Sequence, residues 1–135
     1  MPTMAALLKS LGISEKEFFI RCNASFKMGV RFTNWSHDEK GQPKSFIHPF
    51  EAIRTQLGGQ NPAYHFHKYG GPPGREGIDD CMSFSGAAIK QKLGPKLLTH
   101  GDYETQLNYA YHLDAGKFAE FLRDISIERG VNHVL

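Results

Sequence analysis

The sequence predicts an α/β fold, a mixed sheet of short strands with amphipathic helices beside it. Three observations carry that prediction. Phe26, Met28, Val30 and Phe32 alternate with Lys27, Gly29, Arg31 and Thr33, the period of a strand with one face on a core. Phe118, Phe121, Leu122 and Ile125 recur at three- and four-residue spacings, the apolar stripe of a surface helix. A turn over 38–43, holding Lys40-Gly41 and Pro43, separates the first strand from an apolar run at 45–48, so the two read as an antiparallel hairpin.

The elements follow in order. A helix is expected over 2–11, with Pro2 in its first turn and Gly12 closing it. Ser14-Glu15-Lys16-Glu17 is a capping box that opens a short second helix running to about Cys22. The strand over 26–34, the turn and the return strand over 45–48 come next. Residues 51–57 read as a helical turn stopped by Gly58-Gly59. Residues 60–77 hold Asn61-Pro62, Gly70-Gly71-Pro72-Pro73-Gly74 and Gly77, and read as a long Gly/Pro-rich loop with little regular structure. Residues 79–93 are weakly helical and end at Gly94-Pro95. The strongest helix runs over 114–129, with Asp114 as its N-cap and Gly130 as its stop. Residues 131–135 then begin an apolar strand, so 1–135 reads as a single partial domain, an internal piece of something larger.

Bulk properties narrow the function. The chain has 135 residues, 40% hydrophobic and 22% charged, enough for one small core. A net charge of +2 is too small to mark a nucleic-acid or membrane surface, so neither partner is expected. Aromatics at 12% suit a stout core or a pocket for flat ligands. Cys22 and Cys81 lie far apart with no metal spacing, and the plain reading of each is a small buried hydrophobe. No leader peptide is read, and no apolar run approaches the roughly 18 residues of a membrane span. The expectation is a cytoplasmic protein with reduced thiols.

Few local motifs stand out. No GxGxxG, Walker, GxSxG or HExxH sequence occurs, and the prolines in the 70–74 run remove amides that a phosphate would need. His65 and His67 would share one side of an extended segment, as metal ligands sometimes do, but no third ligand has a telling spacing. Lys27 reads as a solvated strand lysine, or as an amine beside a recess that Gly29 leaves open. His48 and Phe50 flank Pro49, which holds the backbone extended, so both rings would lie on one side and could wall a flat ligand. The bland alternative there is one core Phe and one hydrogen-bonded His.

Taken together, several stretches resemble the flavin-dependent tryptophan halogenases. Asn23-Ala24-Ser25-Phe26-Lys27-Met28-Gly29-Val30-Arg31-Phe32-Thr33-Asn34-Trp35 resembles the family's lysine-bearing stretch, and Ile47-His48-Pro49-Phe50 follows at about the expected distance. Tyr109 to Ala115, leading into Phe118 to Arg123, resembles a later helix entry, and Pro2 to Gly12 resembles the helix after the first flavin-binding segments. The resemblance covers nearly the whole chain, in order. It implies a partial flavoprotein-monooxygenase-like fold. It also implies reduced FAD supplied by a separate flavin reductase, with O2 and halide as co-substrates yielding hypohalous acid. Lys27 is then the catalytic lysine that hydrogen-bonds or covalently carries the halogen to an aromatic substrate such as tryptophan or indole. His48 and Phe50 are then substrate-binding rings, and the cofactor-binding residues are not identified.

The departures from the family pattern are specific. The GxGxxG turn, the Trp-x-Trp-x-Ile-Pro signature and the later catalytic Glu are absent from these 135 residues. Glu51 stands where the family has a small residue, often Gly. The chain is therefore expected to be a fragment, inactive and without FAD on its own, and a homodimer is left open. The alternative is a non-catalytic remnant of the same fold that binds an aromatic ligand or a protein. An unrelated metal-binding domain using His65 and His67 is the third reading.

Overall fold

The structure, a computed structural model, describes residues 2–51, 59–71, 73 and 77–134. The chain forms two compact units. One comprises the residues through Lys27, Thr99–Glu104 and those from Ala110 onward; the other comprises Met28–Leu98 and Thr105–Tyr109.

The first unit holds helices α1 (Pro2–Ser10), α2 (Glu15–Arg21) and α6 (Ala115–Glu128) and strands β1 (Ser25–Lys27) and β4 (Ala110–His112). The expected caps form. Ser14 Oγ accepts from Glu17 N–H at 3.4 Å, and Asp114 Oδ1 accepts from Lys117 N–H at 3.1 Å. Asp102 adds a long-range cap to α2: its Oδ2 accepts from Ser14 Oγ at 2.8 Å and from Glu15 N–H at 2.9 Å. The free amides of a helix start are thus met partly from a segment far along the chain. Gly130 ends α6 with φ +86, a left-handed conformation suited to glycine.

Leu8, Ile13, Phe18, Cys22 and Phe121 form the core of this unit, with Phe118, Tyr111 and Ile125 packed against it. Phe18 is fully buried, and its ring meets Tyr111 at 4.9 Å and Phe118 at 5.8 Å, both edge to face. Phe118, Phe121 and Ile125 of the stripe read on α6 therefore close the core. Arg21 bridges α2 to α6: its guanidinium donates to Asp124 Oδ2 at 2.6 Å and lies 4.8 Å from the Phe121 ring centre. Hydrogen bonds from Arg123 and Arg21 hold the Asp124 carboxyl below its usual range.

Glu15 is a buried acid in this unit. Its carboxylate accepts from Tyr103 N–H at 3.0 Å and Tyr111 O–H at 2.7 Å. Tyr103 donates its hydroxyl to the Ile13 carbonyl at 2.5 Å. Burial first, and then the nearby Glu15 and Asp102 carboxylates, push the Tyr103 hydroxyl from 10.0 up to about 12. The unfolded chain releases this proton near 10 and the folded chain near 12, so stability falls as pH rises through that window and is flat below it. Partial exposure screens the effect, leaving a fall of about 1–2 kcal/mol. Urea unfolding of Tyr103→Phe, which cannot ionise, should show a shallower loss between pH 10 and 12 than the wild type. Equal slopes would mean the hydroxyl is not perturbed.

The second unit holds β2 (Gly29–His37), β3 (Pro43–Pro49), α3 (Pro62–Tyr69), α4 (Ile78–Met82) and α5 (Phe84–Lys90). β2 and β3 form the expected hairpin, antiparallel, with Val30 opposite His48 and Phe32 opposite Phe46. Its turn is fixed by Asp38, whose Oδ1 accepts from Lys40 N–H at 2.9 Å and Gln42 N–H at 2.8 Å. The register slips between Phe32 and Ser36. Asn34 lies in that gap with φ +55.

Several expectations need correction. The single strand over 26–34 is two strands broken at Met28, and they pair with different partners: β1 with β4, β2 with β3. The mixed sheet is, among the described residues, two antiparallel two-stranded sheets. The loop expected over 60–77 contains α3, because Asn61 caps a helix whose first residue is Pro62: Asn61 Oδ1 accepts from Ala63 N–H at 2.9 Å. The helix over 79–93 is split at Ser83, which is extended and caps α5. Residues 131–134 are not a strand; Val131 N–H bonds back to the Ser126 carbonyl at 2.9 Å as α6 unwinds. The helical turn over 51–57 lies outside the described residues except for Glu51. No described helix is long and apolar enough to cross a membrane.

Candidate active site

Lys27 is the last residue of β1 and pairs with Ala110 of β4. It is half-buried. A three-residue strand is marginal alone, and the aromatic shell beside it supplies the support: Phe26 meets Phe19 at 4.7 Å, and Phe19 meets Tyr111, on the paired strand, at 5.6 Å. The lysine is thus mounted on a strand end anchored to the core of the first unit.

His48 and Phe50 belong to the second unit, at the end of β3. Alternation along β3 buries Ile47 and Pro49 and leaves His48 exposed. β3 stops at Pro49, so regular alternation does not extend to Phe50, which is half-buried. The Phe50 backbone is held on both sides: its N–H donates to the Met28 carbonyl at 2.9 Å, and its carbonyl accepts from Asn108 Nδ2 at 3.3 Å.

Gly29 does not serve the purpose read from the sequence. It opens β2 opposite Pro49, and a Cβ placed on it would lie 2.7 Å from the His48 carbonyl oxygen and 3.1 Å from Pro49 Cα. The space is taken by the backbone of β3 rather than left open. Glycine here permits close approach of two chains, and so sets the path of the His48-Pro49-Phe50 segment.

His65 and His67 lie on α3, not on an extended segment. Two residues apart on a helix is about 200° of rotation, so the rings leave on different sides. His65 Nε2 bonds Gln60 Oε1, and its ring stacks on Tyr69 with centres 6.1 Å apart. Among the described residues no group of three or more His, Cys, Asp or Glu could hold a metal ion. Cys22 is buried and is not placed for nucleophilic work. Burial raises Cys22 above its usual range, Arg21 opposes this and Asp114 adds to it, and Cys81 is half-buried and free.

The first unit also carries a mostly apolar hollow of about 430 Å³ between Thr3, Met4 and Leu7 of α1 and Tyr111 and Leu113. None of the residues picked out from the sequence lines it. Two side chains at the second unit's ring segment were not read as functional from sequence, Asn108 and Glu51. Asn108 gives no local signal, since its bond to residue 50 is long-range. Glu51 was visible as a departure from the family pattern, but its partners were not.

With the geometry described, likeness to known proteins extends over the whole chain. The family model for tryptophan halogenase matches residues 1–135. Tryptophan 6-halogenase ThaL of Streptomyces albogriseolus is 33% identical over 142 residues, covering 96% of this chain and 26% of ThaL. Among solved structures, a tryptophan halogenase from Shewanella frigidimarina gives a TM-score of 0.82 at 29% identity, over 99% of this chain and 25% of that one. BrvH, a flavin-dependent halogenase from Brevundimonas sp. BAL3, gives a TM-score of 0.75 at 25% identity, over 99% and 26%. The chain spans about a quarter of the length of the relatives it matches.

Proposed function

Because the chain belongs to the tryptophan halogenase family, we propose that it is the lysine-bearing segment of a flavin-dependent halogenase built on a flavoprotein-monooxygenase plan. In the complete enzyme it would transfer an electrophilic halogen to an aromatic substrate of the tryptophan or indole kind. The observation that carries this reading is the match of the family model across residues 1–135. The half-burial of Lys27 at an anchored strand end supports it over the solvated-lysine reading.

The described residues do not fit FAD. Pyrophosphate is held where a strand runs through a Gly-rich turn into a helix. Both sheets here are antiparallel, and no GxGxxG occurs. Flavin binding is therefore assigned to the remainder of the complete enzyme, where reduced FAD, supplied by a flavin reductase, would with O2 and halide supply hypohalous acid. What this chain contributes begins with that acid. The Lys27 amine either hydrogen-bonds hypohalous acid or takes its halogen, releasing water. The aromatic carbon then receives the halogen and the ring proton passes through a carboxylate elsewhere in the enzyme, restoring the amine on the haloamine route or leaving as water on the hypohalous-acid route. His48 and Phe50 would stack on the substrate ring.

The test is an assay of the complete enzyme with a flavin reductase, O2, bromide or chloride, and tryptophan or indole. Mass spectrometry should find a singly halogenated product that requires halide. Flavin turnover with no halogenated product from either substrate would defeat the reading. It would favour the second one, a binding remnant, for which the exposure of Trp35 (70%) and Phe46 (45%) is the supporting observation.

A further inference from the structure

Glu51 directly follows Phe50, and its carboxylate reaches the start of α5. Oε2 accepts from Ser83 Oγ at 2.9 Å and from Ser85 N–H at 2.8 Å. Both serines are buried, and Ser83 also caps α5 through Gly86 N–H at 3.0 Å. Hydrogen bonds to a carboxylate are the stronger kind, and an acid set among buried groups requires them. α5 would keep its Ser83 cap without Glu51. What Glu51 adds is a tether between the chain after Phe50 and a helix that packs on β3.

This tether adds to the bonds from Phe50 N–H to Met28 and from Asn108 to the Phe50 carbonyl. They reach Met28, Asn108 and the start of α5. The tether fixes the residue after Phe50 as well, so the chain is tied on both sides of the ring. We propose that Glu51 is a positioning residue for the aromatic-substrate site, holding Phe50, and through it His48, in one presentation. This deepens the functional reading above and rests on it for the role of the rings.

The test uses the complete enzyme carrying Glu51→Ala or Glu51→Gln, since Gln keeps an oxygen acceptor and Ala does not. With tryptophan as the probe, Glu51→Ala should raise KM about tenfold, the equivalent of one charge-assisted hydrogen bond, and leave kcat within about twofold. Glu51→Gln should restore KM to within about threefold of wild type. Amide exchange read at Phe50 and Ser85 should quicken about tenfold in the Ala variant and stay near wild type in the Gln variant. Wild-type KM and wild-type exchange at Phe50 in Glu51→Ala would overturn the proposal. So would a lower kcat and melting temperature at unchanged KM, the mark of a merely structural part. Should Glu51→Ala fail to fold, Ser83→Ala removes one donor and leaves the acid; an unchanged KM there overturns the proposal equally. A wild-type enzyme that halogenates neither tryptophan nor indole would count against the functional reading, and the exchange measurement would still decide the tether.

Discussion

In the complete enzyme, Lys27→Ala and Lys27→Arg should both lose halogenated product by about 10²–10⁴-fold, the range for removing a group engaged in the transfer itself. Consumption of reduced flavin and release of peroxide should continue, because the oxidation of flavin is assigned to a separate site. The reasoning concerns the amine. Its nitrogen lone pair can accept a halogen, or its N–H can orient hypohalous acid, at the tip of a four-carbon arm. Arginine keeps the charge and the length but is protonated at any working pH and offers no comparable free amine. Both variants should therefore fail alike, and a charge-only role would be excluded if they do. If Lys27 were an ordinary strand residue, each change would alter stability by less than about 0.5 kcal/mol and leave turnover intact. Measuring product and peroxide in one reaction separates the cases: normal product from Lys27→Ala would remove Lys27 from the chemistry.

Gly29→Ala should strongly destabilise the second unit. The added carbon would sit 2.7 Å from the His48 carbonyl oxygen, 3.1 Å from Pro49 Cα and 3.3 Å from the His48 carbonyl carbon. All three are backbone atoms, so no rotamer change relieves the clash; β2 and β3 must move apart. The cost is about 3 kcal/mol, the upper end for overpacking. Because Gly29 faces Pro49, the displacement falls on the His48-Pro49-Phe50 segment, and the Phe50 N–H bond to Met28 should weaken with it. Denaturant midpoints and amide exchange at Phe50 check this. An Ala variant as stable as wild type would show that the strands lie farther apart than described here.

Much of the fold was legible because its signals are local. Asp114, the Phe118/Phe121/Leu122/Ile125 stripe and Gly130 each state one fact about α6, and all agree. The capping box at Ser14 and the turn at Asp38 are likewise written in adjacent residues. The break at Met28 was not legible, because side-chain alternation runs on unchanged through it; a period of two records which face is inward and not which strand lies alongside. β4 is three residues long, too short to show a period. α3 had a readable start in Asn61-Pro62, but the neighbouring glycines and prolines outweighed it. At the site, Lys27, His48 and Phe50 were picked out by resemblance, since pattern alone favoured plain roles for each. Asn108 and Glu51 act through hydrogen bonds to residues 58 and about 30 positions away, which no local reading reaches.

The pairing of β1 with β4 has a further consequence for how the chain acquires its structure. The β2–β3 hairpin joins neighbours across a short turn and can close in about 1–10 μs once both strands exist. β1 must instead wait for residues 110–112, with all of residues 28–109 looped out between. Closing so long a loop carries an entropic cost with no reward until the far partner docks. On the ribosome, Leu8 and Phe18 emerge well before Phe121, which shares their core. The apolar side of α1 and α2 therefore stays open until Phe121 has been made, a natural client surface for a holdase chaperone.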